Sequence, residues 1–151
     1  MEKFREDLKN FLNKEDKFAL YIGAEITEIG EGSARAVMPI GENHLNGVKV
    51  VQGGAIFTLG DFVFAAASNS YGTRTASTSC QIHFLRPGSG KALFAEARKI
   101  HHGSKSCLYD IEVTNDAGKL VAKMTVSGFL FEGESVLETW QKLTENQKQP
   151  S

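Results

Sequence analysis

The sequence predicts an α+β domain in which an antiparallel β-sheet wraps around one long central α-helix. Three observations predict it. One run, residues 52–69, is apolar at nearly every position and long enough for a buried helix. Strand-like segments follow it one after another, separated by hairpin-type turns. No βαβ alternation competes, so helix and sheet form two layers around one core.

Taken in order, Phe4, Leu8, Phe11 and Leu12 recur at helical spacing among charged residues, which predicts a short amphipathic helix within residues 1–18, capping the fold. From about Ala19 the period becomes two. Leu20, Ile22, Ala24 and Ile26 alternate with their neighbours, and Ala34, Ala36 and Met38 do so after Gly30-Glu31-Gly32, a hairpin pattern. Residues 41–51, with Asn43, Asn46 and Gly47, lack a period and read as a loop into the central helix, which Gly72 closes. Four strand-like runs come next: Arg74–Leu85, Ala92–His101, Cys107–Val113 and Leu120–Phe131. The main domain therefore spans 19–132. Residues 133–151 form a polar tail whose Val136, Leu137, Trp140 and Leu143 are spaced for a short surface helix, with disorder expected at the last residues.

A chain of 151 residues with 41% hydrophobic content supports one core and one domain. Its net charge of -1, with basic residues scattered, argues against nucleic acid or an anionic membrane as partner. Small molecules or proteins fit better. The charged N-terminus lacks an apolar signal core and no stretch reaches transmembrane length, so a soluble cytoplasmic protein is expected. Cys80 and Cys107 lie in separate strand-like runs, and neither they nor His44, His83, His101 and His102 show metal-ligand spacing; no metal is expected. Both cysteines read as small buried fillers.

Asp61 is the one charged residue in the apolar helix. A helix covered on nearly every side desolvates such a carboxylate, raising its pKa, unless donors are found for it. It is either a structural acid partnered from elsewhere or a catalytic one. Gly53 and Gly54 stand at the first turn, where N–H groups lack intrahelical acceptors and a ligand oxygen can approach closely. That is a place to hold an oxyanion. Nine residues of helix put Asp61 roughly 13 Å along the axis from Gln52 and on the opposite side. One chain cannot bring both to one substrate atom, so their cooperation requires two subunits and two composite sites per dimer.

The stretches Asn46-Gly47-Val48-Lys49-Val50-Val51-Gln52-Gly53-Gly54 with Asp61, Cys80-Gln81-Ile82-His83-Phe84-Leu85-Arg86-Pro87-Gly88, and Tyr109–Val113 with Gly118–Ala122 resemble a known family. It is that of the hotdog-fold acyl-CoA thioesterases of the phenylacetate-degradation (PaaI-like) group. The resemblance implies a hydrolase releasing CoA and a carboxylic acid, an obligatory homodimer with a continuous sheet, and commonly a dimer of dimers, that is, a homotetramer. It implies no resident cofactor, since coenzyme A enters with the substrate. Gln52 stands where the family usually has His; related aryl-CoA thioesterases also use Gln. Its amide cannot act as a base near neutral pH but can hydrogen-bond the thioester carbonyl.

On this resemblance the catalytic set is Asp61 as base or nucleophile, with Gly54, Gly53, Gln52 and Asn46 around the carbonyl. Ser77, or alternatively Ser79, orients the water. Arg86, Pro87 and Gly88, with His102, Gly103, Ser104 and Lys105, are the expected CoA-binding residues. Phe57 and Phe62, with Leu59 and Phe64, are candidates for the acyl pocket, although their default role is core packing. Two other functions remain open. Gln52 allows a non-catalytic acyl-CoA-binding protein, and a hydratase or dehydratase would need a His sharing the site, which the sequence does not offer.

Overall fold

The computed structural model describes residues 1–148. Two helices open the chain, α1 (Glu2–Glu15) and α2 (Lys17–Ile22), followed by β1 (Glu25–Gly30) and β2 (Ser33–Pro39). The loop carries a short 3₁₀ turn, Glu42–His44, and leads into α3 (Gly53–Ser68), which ends in a second 3₁₀ turn, Asn69–Tyr71. Then come β3 (Thr75–Phe84), β4 (Ala92–His102), β5 (Ser106–Asn115), β6 (Leu120–Leu130) and α4 (Val136–Lys148). The six strands form one antiparallel sheet in the order β1-β2-β4-β5-β6-β3. The predicted sheet around a long helix is the architecture found. The expected disorder at the chain end falls on residues 149–151, outside the described range.

One predicted element is corrected. Residues 17–22 are helical, and the first strand begins at Glu25 instead of near Ala19. The Asp16 side chain accepts the Ala19 N–H at 3.1 Å and caps α2, while Gly23, with φ of 75°, ends it in the left-handed region. Ala19 and Ile22, three apart, are the residues this helix buries. Local capping overrides the alternation that Leu20 and Ile22 suggested.

Small residues decide where α3 lies. On β2 and β4, Ala34 pairs with Ala97 and Ala36 with Ala95, all four buried, so the sheet has a shallow trough at its centre. Against this sheet face α3 buries Ile56, Leu59, Phe62, Val63 and Phe64, with the Phe64 ring edge-on to Tyr109 of β5. Gly60 completes the fit, because a Cβ there would collide with the Met124 Sδ and lie 3.7 Å from Ile111 Cγ2. The outer face of the sheet is different: Glu28, Arg35, Glu96 and Arg98 run across it as a ladder of exposed ion pairs. Such pairs contribute little to stability, about 0–1 kcal/mol each.

The two sheet edges are treated unequally. On β1, the Asn13 side chain of α1 brackets Ile26, donating Nδ2–H to its carbonyl at 2.9 Å and accepting its N–H at 2.7 Å. It satisfies backbone groups that a further strand would otherwise pair. On the far edge β3 runs for ten residues beside β6, and no strand among the described residues pairs with its other side. No helix among them is long and apolar enough to cross a membrane.

Filling the position where α3 meets Met124 should destabilise the fold. Gly60→Ala gains about 1 kcal/mol of helix propensity but overpacks a fully buried contact at about 1–3 kcal/mol. We expect a net fall in the midpoint of chemical denaturation, with an unchanged slope.

Candidate active site

The site begins with the one stripe of α3 that the sheet leaves uncovered. Gly54 and Phe57 are exposed on it, and Thr58, Asp61 and Ala65 are half-buried. Seven residues separate Gly54 from Asp61, so the two lie within about 20° of each other around the helix and about 10.5 Å apart along it. The expected opposite placement holds for Gln52, not for Gly54. The expectation that α3 is covered on nearly every side agrees with the burial found, since the subunit leaves this stripe uncovered.

At the N-terminal end of the stripe, the Ala55 and Ile56 N–H groups both donate to the Gln52 carbonyl, at 3.0 and 3.3 Å. The Gly53 and Gly54 N–H groups, one turn too early for a helical acceptor, remain available. Around Gly54 a Cβ would meet nothing within 4 Å, whereas at Gly53 it would stand 3.1 Å from the Phe84 ring. A carbonyl can therefore approach over Gly54, while Phe84 covers Gly53. The Gln52 side chain is exposed, and its backbone N–H donates to the His44 carbonyl at 2.8 Å. Asn46 shapes the preceding loop: its Oδ1 accepts the N–H groups of Val48 at 3.0 Å and Val50 at 3.3 Å.

Further along the stripe, a β-bulge aims β3 at Asp61. Before it, Thr75 and Ser77 face the helix; the register shifts between Ser77 and Ser79, and after it Cys80, Ile82 and Phe84 face the helix. Without the extra residue Ser77 and Cys80 could not both flank one carboxylate. Burial raises the pKa of Asp61, the charge of Asp16 raises it further, and a hydrogen bond from Ser77 pulls it back down. No cation figures among these influences. Cys80 is pushed up by burial and by Asp61, so its thiol stays protonated and is a poor nucleophile. Far from being only a filler, it is part of the wall around the acid.

The remaining predicted residues separate into two groups. Arg86, Pro87 and Gly88 line a cavity of about 460 Å³ beside Gly53, Phe84 and Leu85, and the Arg86 Nη1 donates to the Leu120 carbonyl at 2.6 Å. His102, Gly103 and Ser104 line another of about 500 Å³ with Tyr71 and Lys99, and Lys105 lines its neighbour with Arg74. The two groups sit at opposite ends of α3, about 24 Å apart along its axis. One subunit does not bring them together. The His102 Nδ1 lies 2.8 Å from the Tyr109 hydroxyl, and burial together with Lys99 and His101 lowers its pKa, so it is a neutral donor or acceptor. Phe57 is 36% exposed on the stripe, but Phe62, expected in the acyl pocket, is 3% exposed, and with Leu59 and Phe64 it belongs to the core.

Sequence reasoning missed Asp16 and Phe84. Asp16 carries a local signal, a capping residue ahead of a helical repeat, but its approach to Asp61 is set by tertiary packing.

The family model of the thioesterase superfamily matches residues 49–122, which include the first turn of α3, Asp61 and Ser77. The chain is 39% identical over 121 residues to the acyl-coenzyme A thioesterase PaaI of Escherichia coli K12, covering 80% of this chain and 81% of that protein. It belongs to the PaaI-like thioesterases. A putative esterase of Archaeoglobus fulgidus is 38% identical over 118 residues, covering 78% of this chain and 77% of its own length. Among solved structures, the E. coli PaaI protein superposes with a TM-score of 0.79 at 34% identity, covering 83% of this chain and 91% of that one. A hypothetical thioesterase protein of Streptococcus pneumoniae with coenzyme A gives 0.75 at 25% identity, covering 82% of this chain and 98% of that one. The fold is the hotdog fold and the protein is a thioester hydrolase.

Folding raises the Asp61 pKa, so the native state holds this proton more tightly than the unfolded chain does. Its contribution to stability is full below the unfolded value and is lost as pH climbs through the folded value. Asp61→Asn should therefore melt at a higher temperature than the wild type at neutral pH. The gap should close as pH falls into the ordinary carboxylate range, which thermal unfolding at a series of pH values checks.

Proposed function

We propose that the protein hydrolyses acyl-CoA thioesters to CoA and a carboxylic acid, at a site to which two subunits contribute. The reading rests on one observation: available Gly54 N–H and half-buried Asp61 occupy the same uncovered stripe, too far apart to act on one atom within a subunit. A two-fold axis crossing the stripe near Phe57 and Thr58 opposes Gly54 of each subunit to Asp61 of the partner subunit. The open edge of β3 supports this dimer, because strand addition there satisfies its free backbone groups and sets the two α3 helices side by side and antiparallel. The same pairing runs the C-terminal end of one α3 beside the N-terminal end of the other. It thereby draws the His102–Lys105 loop toward the Arg86–Gly88 end of the partner, and both can contribute donors for the CoA phosphates. A dimer of dimers is implied by the family resemblance and is not required by this site.

Asp61, ionised, takes a proton from a water held by Ser77. The water oxygen attacks the thioester carbon, and the carbonyl oxygen takes up negative charge against the Gly54 N–H, assisted by the Gln52 amide and the Asn46 side chain. Collapse of the tetrahedral intermediate breaks the carbon–sulfur bond, and the proton held by Asp61 passes to the departing sulfur. The raised pKa makes Asp61 a stronger base than an ordinary carboxylate, which suits it to this role. Phe57 on the stripe and Phe84 over Gly53 offer apolar contact to the acyl chain.

Two experiments test this. Asp61→Asn and Gly54→Val, the latter filling the open space before the N–H, should each abolish thiol release from acyl-CoA. Refolded together, they should recover about one quarter of wild-type activity, because half of random pairs are mixed and each holds one intact site of two. A mixture as inactive as its parents defeats the shared site. In the pH profile of kcat/KM, Asp16→Asn should move the acid limb to lower pH by removing a charge that raises Asp61. Ser77→Ala should move it to higher pH by removing a donor that lowers it.

A further inference from the structure

His44 is a buried titratable side chain to which the mechanism above gives no part. It is 6% exposed, in the 3₁₀ turn of the loop that leads to α3. Both ring nitrogens are engaged. The Gly41 N–H donates to Nδ1 at 3.0 Å, and since that backbone group can only donate, the ring proton must sit on Nε2. Nε2–H then donates to the Ile22 carbonyl at 2.6 Å. Ile22 is the last residue of α2, where helix carbonyls lack internal partners. The backbone carbonyl of His44 in turn receives the Gln52 N–H at 2.8 Å, one residue before the glycine pair.

One residue thus joins three pieces: the start of the loop, the end of α2 and the N-cap of α3. The loop tip holds its own shape by other means. Asn46 accepts from Val48 and Val50 through its side chain, the Asn46 N–H donates to the Val50 carbonyl at 2.8 Å, and Leu45 bridges Val51. Those bonds stay within the loop, whereas the imidazole ties it to α2. Helix α2 is also the element whose capping residue, Asp16, acts electrostatically on Asp61. Removing the ring leaves the bonds within the loop, and the Val51 N–H to Gly88 carbonyl bond of 2.8 Å, in place but releases the loop from α2, and strips the half-buried Gly41 N–H and the Ile22 carbonyl of their partner.

We infer that His44 is a positioning residue for thioester hydrolysis: its neutral imidazole pins the loop before α3 to the end of α2 and so fixes where the Gly54 N–H meets the substrate carbonyl. The inference rests on the hydrolytic function proposed above. His44 touches no reacting atom, and its effect runs through backbone placement.

The test compares three full-length variants by steady-state hydrolysis of an acyl-CoA, with rates expressed per natively folded protein. His44→Met fills the space without polar atoms and should lower kcat by about 10–100-fold, the scale of a small misplacement at the reacting centre, with KM changed little. His44→Gln can still donate to the Ile22 carbonyl and should recover most of kcat. His44→Asn, too short to reach that carbonyl, should resemble His44→Met. The inference is overturned if all three retain wild-type kcat per folded molecule and lose only thermal stability, or if the loss appears in KM alone. Absence of hydrolysis in the wild type would instead overturn the hydrolytic function itself. Should His44→Met fail to fold, the Gln and Asn variants decide: equal kcat in the two removes the Ile22 tether from the account.

Discussion

The packing of α3 into the alanine trough governs the rest of the molecule. Ala34, Ala36, Ala95 and Ala97 let the helix approach the sheet closely, and Gly60 lets it settle over Met124. That contact fixes the rotation of the helix about its axis. Because burial claims the positions of Ile56, Leu59, Val63 and their neighbours, the surface left over is a stripe set by helical geometry. Gly54 and Asp61 share that stripe because seven residues are close to two turns. The chemistry of the site is thus decided by which side of the helix the core does not use.

The surroundings of Asp61 show how a fold tolerates an acid against its own stability. Desolvation and a neighbouring carboxylate both work against its ionised form, and only Ser77 favours it. A structural acid would be expected to find a cation, and none figures among the groups that act on this one. The bulge in β3 is a second departure from regularity at the same place: it interrupts the ladder with β6 so that a serine and a cysteine both face the carboxylate. Irregularities gathered around one unpaired charge mark a region shaped by chemistry as well as by packing.

Much of this was legible in the chain. The apolar run of residues 52–69 announces the central helix, and period-two runs with Gly-containing turns announce four consecutive strands, because helix and strand burial each imprint a period. The lone Asp61 and the glycine pair stood out for the same reason, as breaks in a pattern. What stayed hidden depends on neighbours distant in sequence. The capped turn of α2 reads as a strand because, over so short a span, Ile22 fits both the two-residue period with Leu20 and the helical spacing with Ala19. Phe62 could not be told from Phe57 without knowing which helix face meets the alanines. The β3 bulge, the ring of Phe84 over Gly53 and the approach of Asp16 to Asp61 are consequences of register and packing, for which no local pattern exists.

The side chain of Asn13 has a bearing beyond the subunit. By occupying the polar groups of Ile26 it plugs one margin of the sheet, while β3 leaves the other margin unpaired. A sheet with two free margins could recruit copies at both and grow without limit, as fibrils do. With the Ile26 groups already satisfied, strand addition of the kind proposed at β3 is disfavoured at that point of the β1 margin. A lone amide on the first helix thus gives the two margins of one sheet a different chemistry toward incoming strands.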